Sequence, residues 1–176
     1  MFLDYAANKN FKVYEMDVKS TFLNGELEEE VYIEQLEGIP LTKEKDMVCR
    51  LNKALYGLKQ APRTWYVRLD KHLAKPRFAK SMTENNLCLK ETKNGLLIII
   101  VFVDDIIFGG NDEASDEFSK EMKNEFEMSM RGEMNFFLGL QIVQNSERIF
   151  ILQTKYLKDL LKGLVWKFVS LLEHLW

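Results

Sequence analysis

A long apolar run interrupted by two adjacent aspartates places the strongest constraint on how this chain can fold. Residues 96–103 are apolar and rich in β-branched side chains, Asp104 and Asp105 follow, and residues 106–108 are apolar again. Such a run is typical of a strand buried on both faces of a sheet. Lone ionised carboxylates are very costly to bury, and two neighbours repel, so a tight turn around a divalent cation would resolve the conflict. An ordinary hairpin turn with both aspartates facing water is the alternative.

A third aspartate, Asp17, lies at the end of another predicted strand, residues 11–18. If the two strands are neighbours, three carboxylates meet at one end of the sheet. Hard oxygen ligands of this kind suit Mg²⁺ or Mn²⁺. Two such ions about 3.5–4 Å apart can stabilise the attacking and leaving oxygens of phosphoryl transfer. A helix N-cap or a plain turn aspartate is the alternative for Asp17.

Composition limits the class of protein. The chain has 176 residues, 47% apolar and 29% charged, which suits one packed domain or a piece of a larger one. Its two cysteines, Cys49 and Cys88, form no CxxC or Cys/His pattern, which excludes a disulfide scaffold and a zinc finger and favours a reducing compartment. The apolar run is far shorter than the ~20 residues that span a bilayer. The N-terminus lacks a signal-peptide pattern. The net charge of −3 predicts no strong global attraction to nucleic acid.

Hydrophobic spacing and turn residues predict an α+β fold, an antiparallel sheet with helices packed on one face, rather than a doubly wound parallel sheet. The expected strands are residues 11–18, 31–33, 87–89, 96–103, 106–108, 136–143 and 149–152. The expected helices are residues 51–58, 62–75, 113–126 and 154–161, with a surface loop at 36–47. In the third helix, Phe118, Met122 and Phe126 are expected to face the core, and the acidic side to face solvent.

A basic segment, residues 47–69, carries cationic and aromatic side chains and no acid. Its members are Arg50, Lys53, Lys59, Arg63 and Arg68, interleaved with Tyr56, Trp65 and Tyr66. Cations can pair with phosphates, and aromatic rings can stack on bases. The alternative is a solvated cationic face over a core-facing aromatic stripe. His72 and His174 have no ligand-like neighbours in the sequence and are assigned no role.

Five segments, in order, carry a family resemblance. They are residues 16–25 (Met-Asp-Val-Lys-Ser-Thr-Phe-Leu-Asn-Gly), 55–63 (Leu-Tyr-Gly-Leu-Lys-Gln-Ala-Pro-Arg), 102–105 (Phe-Val-Asp-Asp), 136–140 (Phe-Phe-Leu-Gly-Leu) and 153–156 (Gln-Thr-Lys-Tyr). The chain resembles the reverse transcriptase of Ty1/copia-type LTR retrotransposons over residues 1–162. Phe102 replaces the tyrosine of that family's Tyr-Val-Asp-Asp box.

The resemblance implies a polymerase palm and a role for each matching residue. Asp17, Asp104 and Asp105 would be catalytic and would bind Mg²⁺ or Mn²⁺. Backbone N–H groups of five residues would approach the incoming triphosphate: Val18, Lys19, Ser20, Thr21 and Phe22. Phe22 would also act as a gate against the ribose 2′-OH, and Gln60 and Arg63 would contact nucleotide or template. The partners implied are an RNA or DNA template-primer and a deoxynucleoside triphosphate, and no membrane is implied. The implied location is the cytoplasm, within a virus-like particle, or the nucleus.

The sequence also departs from the family pattern. Leu36 and Ile39 replace the Pro and Phe of a Gln-Pro-x-Gly-Phe loop, and Pro76-Arg77 stands where a Gly is usual. Fingers, thumb and ribonuclease H parts are expected to be missing. Residues 163–176 form an atypical tail, for which a frameshift is one hypothesis and a helix extension with a packing role is the other.

Three functions therefore compete. The first is a reverse transcriptase fragment that performs two-metal nucleotidyl transfer. The second is a catalytically inactive remnant, a palm-like domain with weak or no nucleic-acid binding; we expect the chain to keep its metal site but to lack useful polymerase activity. The third is a protein-interaction module that uses the acidic helix at 113–127.

Overall fold

The computed structural model describes residues 1–35, 47–74, 78–93 and 95–173, with side chains up to residue 164. Helices α1 to α4 comprise Phe2–Lys9, Ala61–Ala74, Asp112–Glu125 and Thr154–Glu173, and a 3-10 helix comprises Thr21–Asn24. Strands β1 to β5 comprise Val13–Val18, Tyr32–Ile33, Cys49–Arg50, Ala79–Lys80 and Leu87–Thr92. Strands β6 to β11 comprise Gly95–Phe102, Asp105–Gly109, Met128–Glu133, Phe136–Phe137, Leu140–Gln144 and Ile149–Leu152. The departures at residues 36, 39, 76 and 77, most of the predicted loop and His174 lie outside the described residues.

Six strands form an antiparallel sheet in the order β4-β5-β6-β7-β1-β8. Strands β9 to β11 form a small second sheet, and β2 pairs with β3. The predicted α+β class with an antiparallel sheet is confirmed. Strand β1, near the N-terminus, pairs with β7 on one side and β8 on the other. This crossover brings residues ~90 positions apart in the chain side by side.

The main core lies between the large sheet and helices α2 and α3. Met16, Ile106 and Phe108 of the sheet are fully or almost fully buried there against Trp65 and Phe118. These side chains share one face because alternate residues of a strand point to the same side of the sheet.

The opposite face of the sheet has a smaller core. Val13 and Ile107 are buried there with Ala6 of α1, Met134, and Ile142 of the small sheet. Both faces of the central strands are therefore covered, which explains the continuous apolar run of the sequence.

Helix α3 begins where the local sequence favours it. The side-chain oxygen of Asn111 accepts a hydrogen bond from the Ala114 N–H at 2.7 Å, and Asp112 and Glu113 occupy the first turn. An N-cap and early acidic residues satisfy and complement the free N–H groups of a helix start. Phe118 and Met122 face the core, and the predicted helix at 113–126 is confirmed within one residue at each end.

The predicted helix at 51–58 is wrong. Its apolar spacing resembles a helical face, but its backbone pairs with a distant segment instead: Leu51 N–H donates to Val31 O, and Ala54 N–H donates to Gly25 O. Gly57 also has a φ of +92°, which a helix does not accommodate. Tertiary hydrogen bonds here override a weak local propensity.

The predicted single strand at 136–143 is also wrong, because it is divided into β9 and β10. Leu138 and Gly139 have φ values of +48° and +82°, and Phe137 pairs with Leu140 across them. Positive φ at both central residues is the pattern of a two-residue hairpin turn.

The last helix is longer than predicted: the backbone of α4 continues to Glu173. In the described part of the chain, no helix has the length and apolarity required to cross a membrane.

Candidate active site

The three aspartates of interest lie at one end of the large sheet. Asp17 of β1 is directly opposite Asp105 of β7 in the antiparallel ladder. Asp104 belongs to the turn between β6 and β7, and its main-chain oxygen accepts a hydrogen bond from Val18 N–H at 3.0 Å. The strands that carry Asp17 and Asp105 are therefore neighbours, which is the condition that the metal-site hypothesis required; the chemical role of these residues stays a prediction.

A strained residue shapes the aspartate turn. Phe102 pairs with Asp105, so that Val103 and Asp104 form a two-residue turn. Val103 has a φ of +60°, which is unfavourable for a β-branched residue. Two side chains of α2 hold it: the Trp65 indole N–H donates to Val103 O at 2.7 Å, and the Tyr66 hydroxyl accepts from Val103 N–H at 3.3 Å. Helix α2 thus fixes the position of the turn.

The carboxylates of Asp17 and Asp105 lie on the sheet face opposite α2 and α3. Met16 and Ile106 face those helices, so their neighbours Asp17 and Asp105 face the other way. The side chains of Asp17 and Asp105 are 24% and 27% exposed. Asp104 is exposed in the turn. The cluster is therefore accessible from solvent at the end of the sheet.

Two charged residues of this cluster were not among the site residues predicted from the sequence. Glu15, two positions before Asp17 on the same face, has a side chain that is only 7% exposed. The guanidinium of Arg131, from β8, lies 2.7 Å from a Glu15 oxygen, 3.0 Å from an Asp17 oxygen and 3.5 Å from an Asp105 oxygen. The alternation of Glu15 with Asp17 could have indicated the first residue. No sequence pattern indicates the second, because its position depends on how β8 pairs with β1.

Burial and crowding of like charges shift the titration of this cluster. Burial raises the pKa of Asp105, and the charges of Asp104 and Asp17 raise it further, while Arg131 opposes them. Burial likewise raises the pKa of Glu15, again against Arg131. Asp105 Oδ1 is buried and has no hydrogen-bond partner in the described structure. The cluster carries more negative charge than its one guanidinium balances.

The donor set suits a hard divalent cation, because carboxylate oxygens are the preferred ligands of Mg²⁺ and Mn²⁺. The buried Oδ1 of Asp105, which accepts no hydrogen bond from the described residues but lies 3.5 Å from the Arg131 guanidinium, is consistent with such a ligand. However, no three carboxylate, histidine or cysteine side chains of the described residues form a ready-made group around a metal position. Arg131 occupies the space among the carboxylates instead.

The segment after Asp17, for which the family resemblance implies contact with a nucleotide, leaves β1 at Val18 and leads into the 3-10 helix. Of its five amides, Val18 N–H donates to Asp104 O at 3.0 Å and Lys19 N–H donates to Glu127 O at 2.9 Å. Both are therefore already used within the protein. Ser20 has a φ of +50°, and the loop continues into the 3-10 helix.

Two side chains fix the shape of this loop. The buried hydroxyl of Thr21 donates to Val18 O at 2.7 Å. Half-buried Phe22 contacts the exposed ring of Tyr56, with centroids 4.8 Å apart. Phe22 is thus held between the core and the 55–63 segment, so that the first two sequence motifs are in contact.

Gln60 and Arg63 lie at the start of α2. Gln60 is partly exposed, and its main-chain oxygen accepts from Thr64 N–H at 3.1 Å; Arg63 is exposed. Among the contacts of the described residues, none joins either side chain to the carboxylates. The aromatic residues of the basic segment differ in burial. Trp65 is fully buried, as expected for a core-facing aromatic stripe, whereas Tyr56 is 61% exposed.

Comparison with known proteins places this geometry in a family context. The model of the family described as reverse transcriptase (RNA-dependent DNA polymerase) matches residues 1–166. The chain is 36% identical over 164 residues to the Retrovirus-related Pol polyprotein from transposon TNT 1-94 of Nicotiana tabacum, covering 91% of this chain and 12% of the relative. It is 33% identical over 160 residues to the Pol polyprotein from transposon RE2 of Arabidopsis thaliana, covering 90% and 11%.

A shorter yeast relative matches as well. The chain is 33% identical over 132 residues to a transposon Ty5-1 protein of Saccharomyces cerevisiae, covering 74% of this chain and 43% of that protein. The chain therefore spans less than half of each of these relatives, and only about an eighth of the tobacco polyprotein.

Proposed function

Because this chain belongs to the reverse transcriptase (RNA-dependent DNA polymerase) family, we propose that it is the palm fragment of a retrotransposon polymerase, with its carboxylates arranged for two-metal nucleotidyl transfer. The observation that carries the proposal is the pairing of Asp17 with Asp105, beside Asp104 in the adjoining turn. Because these residues come from distant parts of the chain, their convergence at a solvent-accessible edge is hard to attribute to local turn chemistry.

Asp17, Asp104 and Asp105 would hold the Mg²⁺ or Mn²⁺ ions. When bound, the ions would neutralise charge on the attacking and leaving oxygens. The protein's own contribution is to fix the carboxylates: Trp65 and Tyr66 hold the turn that carries Asp104, and the ladder sets Asp17 against Asp105. Such preorganisation is the main source of catalysis where charge develops in the transition state.

The loop after Asp17 would receive the incoming deoxynucleoside triphosphate. The amides of Val18 and Lys19 donate within the protein, so the contact with phosphate falls to the amides of Ser20, Thr21 and Phe22. Phe22, supported by the ring of Tyr56, would exclude a ribose 2′-OH by its bulk. Gln60 and Arg63 would contact the nucleotide or the template.

The reaction would join the primer 3′-oxygen to the α-phosphorus of the nucleotide and release pyrophosphate. The partners would be an RNA or DNA template-primer and the remaining parts of a Pol polyprotein. The corresponding location is the cytoplasm, within a virus-like particle, or the nucleus.

A metal-binding experiment tests the site itself. Addition of Mg²⁺ or Mn²⁺ should raise the melting temperature of the purified chain, because a ligand that binds only the folded state stabilises it. The increase should be smaller in Asp17→Ala and unchanged in Asp116→Asn, which removes an exposed carboxylate of α3. If neither Mg²⁺ nor Mn²⁺ changes the melting temperature, the carboxylate cluster is not a metal site and this part of the proposal fails.

A catalytically inactive remnant is the second candidate, and the presence of Arg131 among the carboxylates favours it. Primer extension on an RNA template with Mg²⁺ separates the two. Synthesis that is lost in Asp104→Asn and kept in Asp116→Asn supports the active palm. Metal binding without any synthesis supports the remnant, which is the result we expect for this chain alone.

A further inference from the structure

Arg131 reaches the carboxylates because β8 contains a β-bulge. Along the β1–β8 ladder, Met130 is opposite Met16 and Gly132 is opposite Glu15, which leaves Arg131 as the extra residue without a register partner. Gly132 has a φ of +85°, which glycine adopts without strain. A bulge bends its strand and can redirect a side chain. Here it places a cation on the face that carries Glu15 and Asp17.

The contacts of Arg131 are those of a counter-ion. Its guanidinium is within ion-pair distance of three carboxylates, from Glu15, Asp17 and Asp105. The pair with Glu15 is the most buried, because that carboxylate is 7% exposed, whereas the side chain of Arg131 is itself 51% exposed. An arginine that is half in solvent gains little from each pair. Its contacts with Asp17 and Asp105 are therefore replaceable.

We propose that Arg131 is a resident counter-ion that competes with divalent metal for the carboxylates of Asp17 and Asp105. The inference rests on the proposed function, because it assumes that these residues are metal ligands. In the metal-free protein the guanidinium offsets the repulsion between the two facing carboxylates. For a metal to bind, the guanidinium has to withdraw from Asp17 and Asp105, and the pair with Glu15 provides a place for it to remain.

The competition predicts a gain of metal affinity when the guanidinium is removed. Arg131→Met keeps an unbranched side chain of similar length without charge. Two like-signed charges a few ångströms apart near a protein surface repel by several times the thermal energy, so we expect Mn²⁺ to bind Arg131→Met at least about tenfold more tightly than the unaltered chain. Arg131→Lys, which keeps the charge, should stay close to the unaltered chain.

The experiment is a Mn²⁺ titration of the full chain, followed by electron paramagnetic resonance of free Mn²⁺. Arg148→Met is the matched control, because it removes one cation from the exposed turn between β10 and β11 and should leave the affinity unchanged. Addition of Asp17→Asn to Arg131→Met should abolish the gain. Because loss of Arg131 leaves Glu15 buried without its cation, the comparison is repeated between Glu15→Gln and Glu15→Gln/Arg131→Met, which removes that cost of folding.

The outcomes separate the inference from the proposed function. Tighter binding in both Arg131→Met backgrounds, but not in Arg148→Met, supports the competition. Equal affinities with and without Arg131, combined with a loss of binding in Asp17→Asn, overturn the competition and leave the metal site intact. Absence of Mn²⁺ binding in every variant overturns both.

Discussion

The indole N–H of Trp65, from the second turn of α2, donates a hydrogen bond to the main-chain oxygen of Val103 at 2.7 Å. The phenol of the next residue, Tyr66, accepts from the N–H of the same valine at 3.3 Å. Two consecutive helical residues therefore hold both polar backbone groups of the residue that precedes Asp104. Helix α2 in this way fixes the backbone position of the turn that carries Asp104.

This relationship predicts unequal effects of two conservative substitutions. Trp65→Phe removes the hydrogen bond and leaves a gap in the core, because Trp65 is fully buried; we expect a loss of about 2 kcal/mol of unfolding free energy. Tyr66→Phe removes only a hydroxyl from a partly exposed position, with an expected loss of about 0.5 kcal/mol. Urea unfolding followed by far-ultraviolet circular dichroism measures both. Equal losses would contradict the dominant role of the tryptophan.

The strain at Val103 predicts a stabilising substitution. A non-glycine residue at an unfavourable φ costs roughly 1–3 kcal/mol, and glycine adopts a φ of +60° freely. After allowance for the greater entropy of glycine in the unfolded chain, Val103→Gly should raise the unfolding free energy by about 1 kcal/mol. Val101→Gly, two residues earlier and within β6, is the control. Because Val101 is buried, it should lose at least about 2 kcal/mol. If both glycine variants are destabilised to the same extent in urea, the valine is not strained.

The close packing of Gly25 against α2 predicts that this glycine tolerates no side chain. A Cβ there would overlap Thr64 Oγ1 and lie 2.9 Å from the Thr64 carbonyl carbon. Gly25→Ala should therefore cost about 1–3 kcal/mol, because α2 or the loop has to move. Gly163→Ala, within α4 and with no neighbouring atom within 4 Å of the new methyl group, should be neutral or stabilise by up to about 1 kcal/mol. Thermal denaturation of the two variants makes the comparison, and a neutral Gly25→Ala would contradict the packing.

The two cysteines should differ in reactivity. Burial raises the pKa of the Cys88 thiol above its ordinary value of 9.0, whereas Cys49 is partly exposed. Because the thiolate is the reacting species, a disulfide reagent at pH 8 should modify Cys49 quickly and Cys88 only when the protein opens. Cys49→Ser should remove the fast phase, and Cys88→Ser the slow one. If both cysteines are modified at the same rate, Cys88 is accessible in the folded protein.

The same thiol gives a pH dependence of stability with a defined sign. The folded state binds the Cys88 proton more tightly than the unfolded state, since its pKa is raised on folding. The corresponding stability is fully present below pH 9 and is lost as the pH rises through the folded pKa. Cys88→Ser should abolish this part of the alkaline loss in unfolding free energy. A loss of the same size in the serine variant would assign it to other groups.

Local patterns in the sequence were sufficient to predict the helices and strands whose apolar residues are regularly spaced or continuous. The apolar run at 96–103 corresponds to β6, and the amphipathic spacing at 113–126 corresponds to α3. The prediction at 51–58 failed because the amides of Leu51 and Ala54 bond to residues more than 15 positions away. A hydrogen bond of that range leaves no trace in local spacing, so propensity alone favoured a helix.

The amino-acid sequence by itself determined the family, the α+β class and the three aspartates, because these follow from residue identities and short-range periodicity. Only the tertiary structure decided that Asp17 lies directly opposite Asp105, and that Arg131 reaches them both. Strand order and the bulge of β8 depend on the balance of packing across the whole sheet. A shift of one residue in that pairing turns a side chain to the other face, so the charge within the cluster was set by the register.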